Sequence, residues 1–338
     1  MAREKKKQHF VPRSYYKNFC LNETEQLYVY DKESKKTFKS NIKDIAQERY
    51  FNDLDITNLL PREFIQSITE KNKDTVEKIN DSQWIENGLA NLVEADLNKM
   101  LQKVISKVER LTPWEERNCK CFTHEEKLDF SIHLAIQTIR TKRQRDMITD
   151  ISSITNKLYK DVSAIYGSPI EEKRYQLSEE QAKNTHLMMM LDMNHIMKLA
   201  SIYTNYQWVL LINQTHKPFY TSDHPIANIP HSYKGQLSND GLLSEGIEVF
   251  YPISNSVALT MFDGEFHKWI GDRDCIYSNR LSEEAVSDYN KWIILRCNRF
   301  IYSTDERFED IHELLEVDPS VFDHPSMIAY FGDKKYEP

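Results

Sequence analysis

Apolar positions along this chain change their period twice. Between Trp84 and Arg110 they recur at helical spacing, as Ile85, Leu89, Leu92/Val93, Leu97, Met100/Leu101, Val104/Ile105 and Val108, a stripe that faces a core. A shorter stretch of the same kind, Glu63 to Lys78, precedes it. Thr112-Pro113 breaks the long run, and Thr123-x-x-Glu126 has the form of a capping box, which predicts the next helix from Glu125 to about Leu158. A further helix starting near Ser178 runs through His186 to Leu199 and is apolar enough to be central, its methionines filling a core. Towards the N-terminus, Pro12 to Phe19 reads as a short helix or turn. Leu27 to Tyr30 and Thr37 to Lys39 read as a hairpin around the polar Asp31 to Lys36, and Ile42 to Phe51 as a short amphipathic helix. From Gln207 the period becomes that of strands: Trp208 to Ile212, Pro218 to Ser222, Val249 to Pro252, Ser256 to Met261, Trp292 to Leu295 and Phe300 to Ser303, interrupted by a helix from Ser282 to Lys291. Pro230 to Gly246 has no period and predicts a mobile loop, and the chain is expected to fray from about Asp333.

Consecutive strands with short polar connections imply a mainly antiparallel sheet. The expected fold is therefore α+β, with a hairpin segment over 1–60, a long-helix region over 61–206 and an antiparallel β-rich region over 207–338. No internal repeat or low-complexity linker divides them, so they form one composite domain.

Composition narrows the function classes. At 338 residues the chain buries a substantial core without staples, and its 5 cysteines, with no paired CxxC spacing, argue against a disulfide framework or a structural zinc site. No apolar stretch approaches the roughly 18 residues of a membrane span. The basic Arg3 to Lys7 leads into Gln8-His9 without an apolar region, so a signal peptide is not expected and the location expected is cytoplasmic. The net charge of -8 excludes a wholly basic nucleic-acid glove. Local basicity survives in Arg140-Thr141-Lys142-Arg143-Gln144-Arg145, which could form a nucleic-acid patch or a solvated helix face. There is no GxGxxG, P-loop, GxSxG or HExxH pattern, so a metal site has little support in the spacing and the sequence leaves metal and cofactor unassigned.

Four clusters carry candidate chemistry. Phe219-Tyr220-Thr221-Ser222-Asp223-His224-Pro225 ends a strand in hydroxyls and a carboxylate on a support stiffened by proline. Gln8-His9-Phe10-Val11-Pro12-Arg13 gathers an amide, an imidazole and a guanidinium near the N-terminus. Glu94 directly follows the core-facing Val93, and Glu48 lies on the predicted short helix. His133, Gln137, Arg140 and Gln144 fall on one face of the single helix predicted there. Strand-end turns and hydrophilic helix margins explain such residues at least as often as sites do.

The ordered set Gln8-His9-Phe10-Val11-Pro12 with Tyr15/Tyr16 and Asn18-Phe19, Gln137-x-x-Arg140-Thr141, and Phe219-x-Thr221-Ser222-Asp223-x-Pro225 resembles the bacterial family called domain of unknown function 4238, over nearly the whole chain. Members look like single-gene anti-phage defence proteins. The resemblance implies that the three motifs meet in one cleft, with His9 as general acid or base, Arg140 stabilising phosphorane charge and Asp223 orienting the imidazole or holding a cation. Glu94 would be a second carboxylate, and Gln8, Arg13, Gln137, Thr141, Ser222 and Arg143 would bind substrate. The position of His224 varies in that picture. The expected function is a defence nuclease cleaving RNA or DNA. A non-catalytic sensor or binding module, or a nucleotide or NAD hydrolase with an aromatic wall such as Tyr15, Tyr16 or Trp208, is the alternative. Nucleic acid, a second copy of the chain and a phage-derived trigger are the partners such a role would involve.

Overall fold

A computed structural model describes residues 6–21, 24–54, 82–167, 175–234, 237–238, 240–271, 273–323, 327–331 and 334–338. The predicted helix from Glu63 to Lys78 lies outside these residues. The fold is α+β, as expected.

The strands are β1 (Lys7–His9), β2 (Gln26–Asp31), β3 (Lys36–Asn41), β4 (Gln47–Arg49), β5 (Gln207–Ile212), β6 (Thr221–Ser222), β7 (Ala227–Pro230), β8 (Tyr233–Lys234), β9 (Leu237–Ser238), β10 (Ile247–Pro252), β11 (Val257–Phe262), β12 (Ile276–Ser278), β13 (Phe300–Ser303), β14 (Ala329–Phe331) and β15 (Lys334–Tyr336). The described helices are α1 (Arg13–Tyr16), α2 (Trp84–Gly88), α3 (Glu94–Glu109), α4 (Pro113–Asn118), α5 (His124–Ile139), α6 (Lys142–Ile165), α7 (Glu179–Leu191), α8 (Met193–Asn205), α9 (Glu283–Arg296) and α10 (Glu309–Val317).

The centre is a five-stranded sheet in the order β12-β5-β11-β10-β7, antiparallel except where β12 runs parallel to β5. Both its faces are covered, which is why β10 and β11 are buried at every position and are apolar except for Glu248 and Thr260, whose side chains pair with each other. The two-residue period of a strand divides them. Trp208, Leu210, Tyr251 and Leu259 enter a core with Phe130, Leu134 and Tyr203 of α5 and α8, while Val209, Leu211, Phe250 and Ala258 enter a second core with Val286, Ile293 and Ile311 of α9 and α10. A four-stranded sheet in the order β3-β2-β13-β6 joins the N-terminal hairpin to the C-terminal half.

Five local expectations are corrected. Ile42 to Phe51 is not a helix: Gln47–Arg49 pairs antiparallel with Lys7–His9, and backbone pairing within the protein overrides the local apolar period. The helix predicted from Glu125 to Leu158 is two, separated at Arg140-Thr141, where Thr141 turns extended (φ -74, ψ 155) to start α6. The predicted central helix is also two, because the Asp192 side chain accepts from the N–H groups of Asn194 and His195 and so caps α8. Trp292 to Leu295 continues α9 and is no strand; Ser282 caps that helix and Ile293 and Ile294 bury in the second core. The C-terminus, finally, is paired as β14–β15 and tied to α6 by the Lys334–Asp161 ion pair. The capping box read at Thr123 is present with Glu126, and the helix expected to start near Ser178 is capped in the same way, with Gln181.

Candidate functional site

The three sequence motifs meet around the break between α5 and α6, and they meet in two separate ways. On the inner side lies Arg140, whose side chain is 1% exposed. Its Nη2 donates to the His9 carbonyl and to Glu94 Oε1, each at 2.8 Å, tying α5 to β1 and to the first turn of α3. His9 thus reaches Arg140 through its backbone, not its ring. Burial and the nearby Arg13 guanidinium push the His9 imidazole down to about 4, so it is neutral at physiological pH. His9 Nε2 and Arg140 Nε and Nη1 are buried without a partner among the described residues.

Asp223 does not join this group. One carboxylate oxygen accepts the Asn298 N–H at 2.8 Å, and the other accepts the Arg299 and Phe300 N–H groups at 2.9 and 3.0 Å. The side chain therefore caps the start of β13. Burial raises its pKa, opposed by those three N–H groups. The neighbouring hydroxyls are equally occupied. Thr221 Oγ1 meets Tyr15 Oη at 2.7 Å, Ser222 Oγ donates to the His224 carbonyl at 2.7 Å, and Tyr16 Oη donates to the Ser222 carbonyl at 3.0 Å. Gln8 Oε1 accepts the Asn52 N–H at 2.6 Å and its amide nitrogen pairs with Asp53. Gln137 donates to the Phe10 carbonyl at 3.4 Å, and the exposed Arg13 pairs with Glu25 at 3.6 Å. These motif residues hold the N-terminal segment against the helical region and the C-terminal half.

On the outer side, Thr141 Oγ1 meets at 2.9 Å the Nδ1 of His224, which lines a cavity of about 600 Å³ with Arg143 and Arg296 and with Thr138, Met189, His195, Ile226, Asp240 and Tyr330. That volume lies within the roughly 300–1,000 Å³ of small-molecule sites. The bond between Arg143 Nη1 and the Cys297 carbonyl is long, 3.5 Å, which leaves most of the guanidinium's donors uncommitted among the described residues. Arg296 donates from Nε to the Asn228 carbonyl at 3.1 Å and from Nη1 to Asp240 at 2.7 Å. Burial, with Arg143 and Arg296 beside it, depresses the His224 imidazole to about 3 and keeps it neutral. The Thr141 hydroxyl also reaches the Thr138 carbonyl at 3.4 Å. The tautomer that satisfies both contacts carries its proton on Nδ1 and leaves the Nε2 lone pair bare.

The basic run is not a surface patch. Arg140 is buried, Arg143 faces the cavity, and Arg145 lies 3.5 Å over the Phe51 ring and donates to the Phe51 carbonyl at 2.8 Å. Lys142 pairs with Asp146. Gln144, expected on one helix face with His133, Gln137 and Arg140, sits on the following helix and lines the cavity. Glu48 is exposed on β4 beside a different, mixed-charge cavity.

Sequence reasoning missed Arg296 and set His224 aside. Arg296 stands at the C-terminal end of a helix whose last residues read as a strand, so its position was hidden. His224 gave a signal in its proline neighbour, which disfavours helical backbone there, but its partner Thr141 lies 83 residues away.

A family model matches residues 7–307 of the chain. The chain belongs to the family described as Protein of unknown function (DUF4238). The match spans all three motifs and also Arg143, His224, Asp240 and Arg296, and it stops short of the cavity wall at Tyr330. No curated protein and no solved structure matches. Among the described residues no helix is long and apolar enough to cross a membrane, and no cluster of three or more His, Cys, Asp or Glu side chains is placed to hold a metal ion.

Proposed function

We propose that this DUF4238 protein binds a phosphate-bearing, nucleotide-sized ligand in the Arg143–His224–Arg296 cavity and cleaves a phosphodiester bond there. The observation that carries the reading is the pairing of two guanidiniums with a neutral, oriented imidazole on the wall of one cavity. Guanidiniums suit the charge that builds on phosphorus in the transition state, and a bare imidazole nitrogen suits proton abstraction from an attacking hydroxyl or water. An anion seated between the arginines would offset the two charges that depress His224, so ligand binding makes it a stronger base. The cavity admits one nucleotide unit, not a duplex, which favours a single-stranded RNA or DNA substrate, or a free nucleotide. Defence against phage is the setting in which we place this activity.

His9, Glu94, Arg140 and Asp223 act in this reading as the frame that holds the cavity walls. The reading is tested by incubating wild type, Arg143→Gln and His224→Ala with single-stranded RNA and DNA oligonucleotides. Cleavage by wild type that falls by about 10²-fold or more in both variants, with their melting temperatures retained, supports it. Intact oligonucleotides with wild type, or cleavage retained in both variants, overturns it. A plaque assay on cells expressing the same three proteins tests the defence role, with protection expected from wild type alone.

A further inference from the structure

Among the described residues, the ion pair between Arg296 and Asp240 ties the segment between β7 and β10 to the cavity. Arg296, the last residue of α9, donates from Nη1 to Asp240 Oδ2 at 2.7 Å, and its Nε donates to the Asn228 carbonyl at 3.1 Å. The Asn228 amide in turn donates to the Asp240 carbonyl at 2.9 Å, so both the main chain and the side chain of Asp240 are held. Two residues on, the Leu242 carbonyl accepts the Tyr206 hydroxyl. The loop expected to be mobile therefore presents a fixed carboxylate to the cavity. That carboxylate is 45% exposed, within reach of a ligand in the cavity, and its charge is also felt at Arg143.

The fixed charges on the described wall are Arg143 and Arg296 against Asp240, two positive and one negative, a net of one positive. A phosphodiester carries one negative charge at neutral pH and a phosphomonoester close to two. We infer that Asp240 is a specificity-determining residue: by neutralising one of the two arginines it matches the cavity to a phosphodiester monoanion and disfavours a phosphomonoester dianion. A dianion would bring its second charge against the Asp240 carboxylate, whereas a monoanion is balanced by the one uncompensated guanidinium. The same selection would favour an unreacted internal linkage over a product ending in a phosphate. The inference rests on the cavity being a phosphate site, and it concerns which phosphate that site takes.

Calorimetric titration at pH 8 with thymidine 5′-phosphate, a dianion, and its methyl phosphodiester, a monoanion, separates the two claims. Wild type is expected to bind the diester more tightly. Asp240→Asn keeps the size of the side chain and an acceptor for Arg296, and it is expected to move the diester-to-monoester affinity ratio by about tenfold towards the monoester, as loss of one nearby, partly solvated charge implies. An unchanged ratio in Asp240→Asn, while Arg143→Gln weakens both ligands, overturns the role of Asp240 and leaves the site in place. No binding of either nucleotide by wild type, or equal binding by wild type and Arg143→Gln, overturns the site and the inference with it. A melting temperature recorded for each variant ensures that folded protein is compared.

Discussion

At the residue scale, one motif divides its labour between neighbours. Asp223 and His224 are adjacent, yet the carboxylate turns inward to cap three N–H groups of the Asn298–Phe300 backbone while the imidazole lines the cavity. An amide at position 223 would aim N–H groups at donors that need an acceptor. Asp223→Asn is therefore expected to lower stability by about 1–3 kcal/mol, the usual result of leaving buried donors unsatisfied. Read as a melting temperature, that is a fall of several degrees. Affinity for a nucleotide should be retained below the melting transition. An unchanged melting temperature with lost binding would instead make Asp223 a site residue. The sequence marked this run as dense in polar groups and stiffened by Pro225, and both features are real. It could not mark direction, because Asp223 finds its donors and His224 finds Thr141 far along the chain, and no local spacing encodes either meeting.

At the scale of elements, the break between α5 and α6 organises the site. It puts Arg140 at the end of one helix, pointing to β1 and α3, and Arg143 near the start of the next, on the cavity. No proline or glycine stands there, so the apolar period runs through it and predicts one helix. A proline substitution distinguishes the two. Thr141 has the extended backbone that precedes proline (φ -74, ψ 155), and Lys142 is the first residue of α6, where proline is well tolerated. Lys142→Pro is thus expected to change stability by less than about 1 kcal/mol, whereas within a continuous helix it would cost about 3 kcal/mol or more. Denaturant unfolding measures the difference. Elements whose length and caps agree with their burial, such as α3, the β2–β3 hairpin and the β10–β11 pair, were legible from the pattern. The strand β4 and the last turns of α9 were not, since a short apolar run is settled by what it packs against: β1 for the first, the second core for the second.

At the scale of the molecule, burial lowers the pKa of several imidazoles, and the fold keeps three of them furthest from protonation. His9 is pushed down to about 4, and His186 and His224 to about 3, in each case mainly by burial, with arginine neighbours adding to it. These groups take up protons in the unfolded chain near the ordinary value of about 6.5 but resist them in the folded one. Between about pH 6.5 and 4 the unfolded state thus binds more protons, and stability falls as pH falls. Each group contributes up to about 1.4 kcal/mol per pH unit, so these three together contribute at most about 4 kcal/mol per pH unit to the slope. Melting temperatures recorded from pH 7.5 to 5 should decline, and His186→Gln should flatten the decline; a flat profile in wild type would refute this reading. The charge distribution of the whole chain is acidic, but its buried and cavity-facing arginines concentrate positive charge where the motifs meet. The most direct test is a crystal structure of the protein soaked with the methyl phosphodiester of thymidine 5′-phosphate. The phosphate is expected between Arg143 and Arg296, with oxygens about 2.7–3.1 Å from guanidinium nitrogens. A phosphate bound beside His9 and Arg140 instead, or an empty cavity at saturating ligand, would contradict the account.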